Sequence, residues 1–448
     1  MTTKKKANAA GRALVIGGGI AGMQASLDIA DKGFRVTLVE REPTIGGHMA
    51  QLDKTFPTLD CSSCILTPKM VEVGSHPNIE VMTYSEVIDI GGKAGEFHIT
   101  IKKKPRYLDV KTCTACGLCA EACVQRGRIP NEFDMGIGKR SAVYIPFPQA
   151  VPQAYIIDPN NCLMLTRGQC GKEPKCQKVC TPNAIDFTEK DETITVSSGV
   201  IVAATGYDQF DPKLKPEYGY GRYKNVLSGI EFERLCSASG PTGGKIQLNR
   251  KEPKRVVFIQ CVGSRDKTVG NEYCSRVCCM YTVKQAHLVR ERIPDAKITI
   301  CYMDIRAFGK GYEEFYDRIQ RENILFRRGN PSEIYKRGSS MVVRGEDTLL
   351  GETYEEEADL VVLATGLVPK KDAGEMSKLL GLSHTPDGFF EEARPEETIA
   401  TSRAGVFLAG CCQGPKDIPD TIAQASGAAS LSCAQLTKKG KTKDLRCR

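Results

Sequence analysis

"RALVIGGGIAGMQASLDIADKGFRVTLVERE", residues 12–42, joins an apolar run to Gly17, Gly19 and Gly22 in G-x-G-x-x-G spacing, then a helical segment and a second apolar run ending in Glu40. Glycine at the first position permits a tight turn, at the second lets the backbone approach a pyrophosphate, and at the third lets helix pack on strand. The acidic residue closing the second strand can accept from both hydroxyls of a ribose. The spacing alone is a weak signal, but here every piece of its context is present. The chain therefore carries a dinucleotide-binding β-α-β unit near its start.

The 448 residues are 41% hydrophobic and 26% charged, enough for a large core divided over two or three domains. No apolar run approaches the roughly 18 residues of a membrane span, and "MTTKKKANAAGR" lacks the apolar stretch of a signal peptide, so a soluble cytoplasmic protein is expected. Twenty cysteines are too many for ordinary cores and sit in the wrong compartment for disulfides, which leaves metal ligation or redox work. The net charge of +8 is scattered, with short runs only at Lys4–Lys6, Lys102–Lys104 and the tail "KKGKTKDLRCR". Such runs read as solvated surface rather than a nucleic-acid footprint, and anionic metal clusters would offset the excess.

"GVIVAATGYD" (199–208) and "ADLVVLATGLVP" (358–369) both end a buried strand in Ala-Thr-Gly. They resemble the return strands of two-dinucleotide-domain flavoproteins of the thioredoxin-reductase type, an α/β Rossmann-like fold. "AGVFLAGCCQGPKDIPDTIAQASGAAS" (404–430) resembles the closing segment of that fold, where a strand meets a helix whose N-terminus faces the flavin. The resemblance implies FAD, with Gly17, Gly19, Gly22, Glu40, Thr205, Gly206, Gly410, Cys411 and Gln424 around it. An acidic residue usually follows the closing strand in such proteins. Here Cys411 and Cys412 stand there, so the contact to the ribityl chain must change. A second unit should begin at "PKRVVFIQCVGSRD" (253–266), but Cys261, Gly263 and Ser264 stand where a glycine loop would cradle pyrophosphate. NAD(P) therefore has no obvious seat, and electrons should reach the flavin from another donor.

Between these elements, "CTACGLCAEAC" presents Cys113, Cys116, Cys119 and Cys123 as C-x2-C-x2-C-x3-C, the run of bacterial two-cluster ferredoxins in which the fourth cysteine serves the other cluster. "CLMLTRGQCGKEPKCQKVCTP" supplies Cys162, Cys170, Cys176 and Cys180 at irregular spacing and ends in Cys-Thr-Pro. The ferredoxin rule assigns one [4Fe–4S] cluster to Cys113, Cys116, Cys119 and Cys180, and a second to Cys162, Cys170, Cys176 and Cys123. A zinc site would need only one set of four and would leave the interleaving unexplained.

"EYCSRVCCMYTVKQA" (272–286) holds three more thiols. Read as helix, Cys274 and Cys278 share one face and Cys279 lies about 100° around it. With Cys261 at the end of the preceding strand they could ligate a third [4Fe–4S] cluster; zinc and inert buried thiols are the alternatives. The C-x12-C-x3-C-C pattern, with "CSSCILTPKM" (61–70), "AVYIPFPQAVP" (142–152) and "GCCQGPKDIPDTIAQASGAA", resembles the flavin-carrying A subunits of heterodisulfide reductase from residue 12 to about 435. Long forms of that family add an N-terminal domain and a C-terminal ferredoxin domain. This chain looks like a short form, as in electron-transfer modules of anaerobic reductases such as class II benzoyl-CoA reductase complexes. The resemblance implies flavin-based electron bifurcation, with partner iron–sulfur and flavin subunits and a homodimer within the complex. It also implies that Lys284 and Glu231 stand near the isoalloxazine to stabilise reduced flavin and manage its proton, although an ordinary ion pair would use the same residues. An NAD(P)H-dependent flavin oxidoreductase with a ferredoxin domain, and a non-bifurcating relay, are the competing functions.

The expected order is an FAD-binding unit over 1–106, an inserted two-cluster ferredoxin-like domain over 107–187, and a return strand and linker over 188–250. A second Rossmann-like unit with the additional cluster follows over 251–356, and the closing FAD part and basic tail over 357–448. Cys61 and Cys64 could form a redox dithiol, ligate a cluster across a subunit boundary, or pack. Cys236, Cys301, Cys433 and Cys447 have no partner spacing, and the five histidines form no metal motif.

Overall fold

The computed structural model describes residues 11–338 and 340–444, with side chains to residue 437. Lys4–Lys6 and Cys447, and the side chains of the basic tail, lie outside the described residues.

The strand Arg12–Ile16 is the centre of a five-stranded parallel sheet. Arg35–Glu40 and then Ile79–Thr83 lie on one side of it, Val200–Ala203 and then Val406–Leu408 on the other. Ala13 faces Val36 on one neighbour and Val200 on the other, and Leu14, Val15 and the whole of Val200–Ala203 are buried. A parallel strand covered on both faces has to be continuously apolar, which is why RALVI and VIVA carry no alternation. Strand order reverses at Arg12–Ile16, so the crevice at the carboxyl ends of these strands is where such a sheet receives a ligand. The helix Ile20–Asp31 opens into that crevice with Gly19 as its N-cap, no side-chain cap and no acidic residue in its first turn. Its first amides are therefore free for an anion.

Ser85–Lys93, Glu96–Lys103 and Glu192–Ser198 form an antiparallel sheet beside this unit. Lys103 pairs directly with Glu192, so residues 104–191 leave and return at one edge as an excursion. The excursion has its own small core of Leu108, Val143, Ile157 and Ile185 with Cys119, Cys162 and Cys176.

A second five-stranded parallel sheet runs Val226–Ser228, Leu360–Thr365, Arg255–Val262, Lys297–Tyr302, Leu325–Arg328. This moves two expected boundaries. Val226–Ser228 with the helix Gly229–Cys236, and Leu360–Thr365, belong to the second unit rather than to 188–250 and 357–448 of the flavin unit. Buried parallel strands look alike in sequence whichever sheet they join, so the repeated Ala-Thr-Gly ending could not tell them apart. No helix among the described residues is long and apolar enough to cross a membrane.

Candidate functional site

A cavity of about 1360 Å³ is lined by both units: Gly17, Gly19 and Glu40 of the first, Lys284 of the second, and Cys411 of the closing turn. Gly17 has φ +109°, and a Cβ there would meet Ala204 O at 2.2 Å; a Cβ on Gly22 would meet Gly17 O at 1.8 Å. Gly19 faces open space. The loop is thus closed against protein at two glycines and open toward the cavity at the third, a cradle that suits a pyrophosphate. Glu40 is buried, accepting from Gly18 N at 2.5 Å and from Glu42 N at 2.8 Å. Burial pushes its carboxyl above the usual range, and those two amides pull it partly back. Thr205 and Gly206 stand on the same wall. These residues fit FAD.

The closing turn is built differently from the expectation. Gly410 has φ +78° and donates its N–H to Gln424 Oε1 at 2.8 Å, while Gln424 Nε2 donates to Thr398 O and Gln413 Oε1. Gln424 and Gly410 therefore frame the turn and do not line the cavity, and the same holds for Gly22. Cys411 lines it, its Sγ donating to Lys416 O at 3.4 Å. Cys412 turns into the core, with Sγ on Ala203 O at 3.2 Å, and burial pushes its thiol up to about 11. Lys416 joins Cys411 on the wall, donating to Gly410 O and Gly414 O at 3.0 Å, and burial lowers its pKa.

Lys284, on the helix Cys278–Arg292, is 1% exposed and reaches the cavity. Its partner is not Glu231. Lys284 Nζ is 2.6 Å from Glu233 Oε1 and donates to Lys54 O at 2.8 Å. Glu233 also lines the cavity, and its carboxylate accepts from Gln285 Nε2 and Asp53 N. Glu231 instead closes a capping box with Ser228 and accepts from Tyr220 OH at 3.1 Å. The S-x-x-E signature of that box stands in the sequence at Ser228–Glu231. Sequence reasoning also missed His48, a cavity residue bonded to Gln51 Oε1 and Tyr207 O, whose pKa burial lowers.

In the excursion, burial pushes the Cys119 thiol up to about 11, with Cys113, Cys116 and Cys180 adding to the rise. Burial likewise pushes Cys176 up to about 12, with Cys123, Cys162 and Cys170 adding to the rise. The chain thus brings Cys180 back to the first run and carries Cys123 to the second. Ala115 N donates to Cys113 Sγ at 3.4 Å and Ala184 N to Cys180 Sγ at 3.3 Å.

The third set meets in a way the helical reading did not foresee. Cys274 precedes the helix, which starts only at Cys278, because Arg276 takes φ +61° and turns its N–H onto Cys274 Sγ at 3.3 Å. Cys261 comes from the strand Arg255–Val262, whose register slips between Ile259 and Val262 and whose Cys261 has φ +59°. A bulge of this kind re-aims a side chain. Burial pushes Cys278 well up, and Cys261, Cys279 and Cys274 are its next causes. Among the described residues no group of three His, Cys, Asp or Glu side chains stands ready to hold a metal ion. The donor chemistry of each set, four thiols, is the one that iron–sulfur clusters use.

Cys61 and Cys64 are exposed at the start of the helix Ser62–Ser75, with Cys64 N donating to Cys61 Sγ at 3.3 Å. In the second unit, a Cβ on Gly263 would fall 2.0 Å from the Phe210 ring, so that glycine serves packing.

Residues 15–71 match the model of the NAD(P)-binding Rossmann-like domain. The chain is 53% identical over 423 residues to the iron-sulfur A subunit of the CoB–CoM heterodisulfide reductase of Methanocaldococcus jannaschii, covering 93% of this chain and 63% of the relative. It is 52% identical over 432 residues to the A subunit of the H2:CoB-CoM heterodisulfide, ferredoxin reductase of Methanothermobacter marburgensis, covering 95% and 64%. The chain thus spans less than two thirds of the length of these relatives. Thioredoxin reductase of Lactococcus lactis superposes with a TM-score of 0.52 at 14% identity, over 95% of this chain and 99% of that one. The fold is that of the two-dinucleotide-domain flavoproteins.

Proposed function

The chain belongs to the family of heterodisulfide reductase A subunits, and from that premise we propose that it is an FAD and iron–sulfur electron-transfer subunit that divides electrons from one donor between two acceptors. One observation carries the reading: a flavin-type cleft and three sets of four thiols lie in one chain. The marburgensis relative's name couples H2, a heterodisulfide and ferredoxin, which supports two acceptors. Other iron–sulfur and flavin subunits would be the partners, with a second copy of this chain, in the cytoplasm.

Bound FAD would supply the change from two-electron to one-electron transfer. The chain's residues do the rest. The Gly17–Gly19 loop and the N-terminus of Ile20–Asp31 hold the pyrophosphate, and Glu40 orients the adenosine ribose. Lys284 Nζ pairs with Glu233 at the cavity wall, where both side chains are buried, and Tyr281, hydrogen-bonded to Thr365 O at 2.8 Å, lines the same cavity. Cys113, Cys116, Cys119 and Cys180 would hold one [4Fe–4S] cluster, Cys123, Cys162, Cys170 and Cys176 a second, and Cys261, Cys274, Cys278 and Cys279 a third. With Gly263 packed on Phe210, NADH is not expected to bleach the flavin.

The test is the iron, acid-labile sulfide and FAD content of anaerobically purified protein. About twelve iron per flavin is the expected ratio for three four-iron clusters, with loss of about four in Cys278→Ala. A ratio near eight in intact protein would remove the third cluster and its place in the electron path.

A further inference from the structure

From Val256 to Val262 the strand Arg255–Val262 is buried and apolar except at Gln260, which is 0% exposed. Side chains alternate between the faces of a strand. Val256 and Phe258 pack with Met280 and Val283 of the helix Cys278–Arg292, while Val257 and Ile259 belong to a separate cluster. Gln260 is next on the helix-facing side, and its Oε1 lies 3.5 Å from Cys279 Sγ. Its Nε2 is buried with no hydrogen-bond partner. A buried amide N–H left unpaired is costly, and a leucine of similar volume would fill the same space without that cost.

The Cys279 thiol donates to two oxygens, Gln260 Oε1 and Asp304 O, the latter at 3.7 Å. A cysteine that ligates a cluster is a thiolate and has no proton to donate. Its sulfur becomes an acceptor. A half-turn of the Gln260 amide about its last side-chain bond exchanges Oε1 for Nε2, so the unpaired donor then faces that sulfur.

We propose that Gln260 donates from Nε2 to the Cys279 thiolate and so raises the reduction potential of the cluster on Cys261, Cys274, Cys278 and Cys279. The inference rests on the cluster reading above. Hydrogen bonds to the sulfurs help to set a cluster's potential. Reduction adds one electron and makes the cluster with its thiolates one unit more negative, and an N–H bond to an anionic acceptor strengthens with that charge. Gln260 keeps its protons throughout, so one electron moves and no proton does. The donors to Cys113, Cys180 and Cys274 are the backbone amides of Ala115, Ala184 and Arg276. Gln260 acts through a side chain, which a substitution can remove.

The experiment is a potentiometric titration of the full, anaerobically purified holoprotein followed by EPR, on wild type and Q260L, with iron and FAD measured on each. The third cluster's signal is identified as the one that Cys278→Ala removes. The expected result in Q260L is a downward shift of that signal alone, with about twelve iron per flavin retained. An unshifted or raised potential at full iron overturns the inference, and so does an equal shift of every cluster, which a general disturbance of the fold would give. Where Q260L loses iron or does not fold, wild-type protein carrying nitrogen-15 in its glutamine side chains decides by pulsed EPR of the reduced third cluster. A nitrogen coupling from the label supports the inference, and no such coupling overturns it. Wild-type protein with only about eight iron per flavin brings down the third-cluster reading itself, and this inference with it.

Discussion

Lys284 Nζ lies 2.6 Å from Glu233 Oε1, and the two side chains are 1% and 2% exposed at the wall of the cavity. Removing one member of such a pair leaves the other buried and uncompensated, at a cost of about 3–5 kcal/mol. Glu233→Gln should therefore destabilise the flavin-free chain by that order in urea unfolding. Glu231→Gln keeps the capping box, which takes Glu or Gln at this position, so it should cost no more than about 1 kcal/mol and leave flavin reduction untouched. Equal effects of the two substitutions on the pH profile of flavin reduction would contradict this assignment.

Glu40 is held above its ordinary value by burial. A group with a raised folded pKa contributes stability that is complete below its unfolded pKa and is lost as pH rises through the folded one. The flavin-free chain should thus lose this contribution on going from acid to neutral pH, while FAD, whose ribose hydroxyls need the carboxylate, should bind more tightly. Urea midpoints and flavin fluorescence followed upward from about pH 4, below the unfolded carboxyl value, check both. Glu40→Gln should flatten the two dependences together.

The crossed arrangement of thiols makes a sharp genetic prediction. Cys123→Ser should remove the same EPR signal as Cys176→Ser, although Cys123 lies in the first run, and Cys180→Ser should match Cys113→Ser. Matching by run in the sequence, with Cys123 grouped with Cys113, would sink the pairing.

Arg234 joins the second unit to the excursion, with Nε on Asp134 Oδ1 at 2.9 Å and its guanidinium 4.7 Å from the Phe133 ring centre. Asp134→Ala should cost about 3–5 kcal/mol by stranding a buried cation. Limited proteolysis should then cut within residues 104–191 faster than in wild type. An unchanged cleavage rate would mean that this contact does not hold the excursion in place.

The legible features were local ones. The first glycine loop could be read because the spacing of its glycines, the helix that follows and the acid closing the second strand all fall within residues 12–42. Choosing between Glu231 and Glu233 was another matter. Two positions apart on a helix, their side chains point about 200° away from each other, and which direction faces the cleft depends on how Gly229–Cys236 sits on its sheet. Nor could periodicity show that Arg276 would delay the helix to Cys278, since a left-handed residue in a ligand loop leaves no mark on the apolar pattern.

Residue type and spacing alone specified a glycine-loop unit, thiols in groups and a parallel α/β architecture, because each is written within a short segment. Which sheet took Leu360–Thr365, which acid met Lys284 and how a bulge brought Cys261 to Cys278 were settled on folding. Those outcomes depend on contacts between distant segments, where burial and the low dielectric it creates give a single partner its weight.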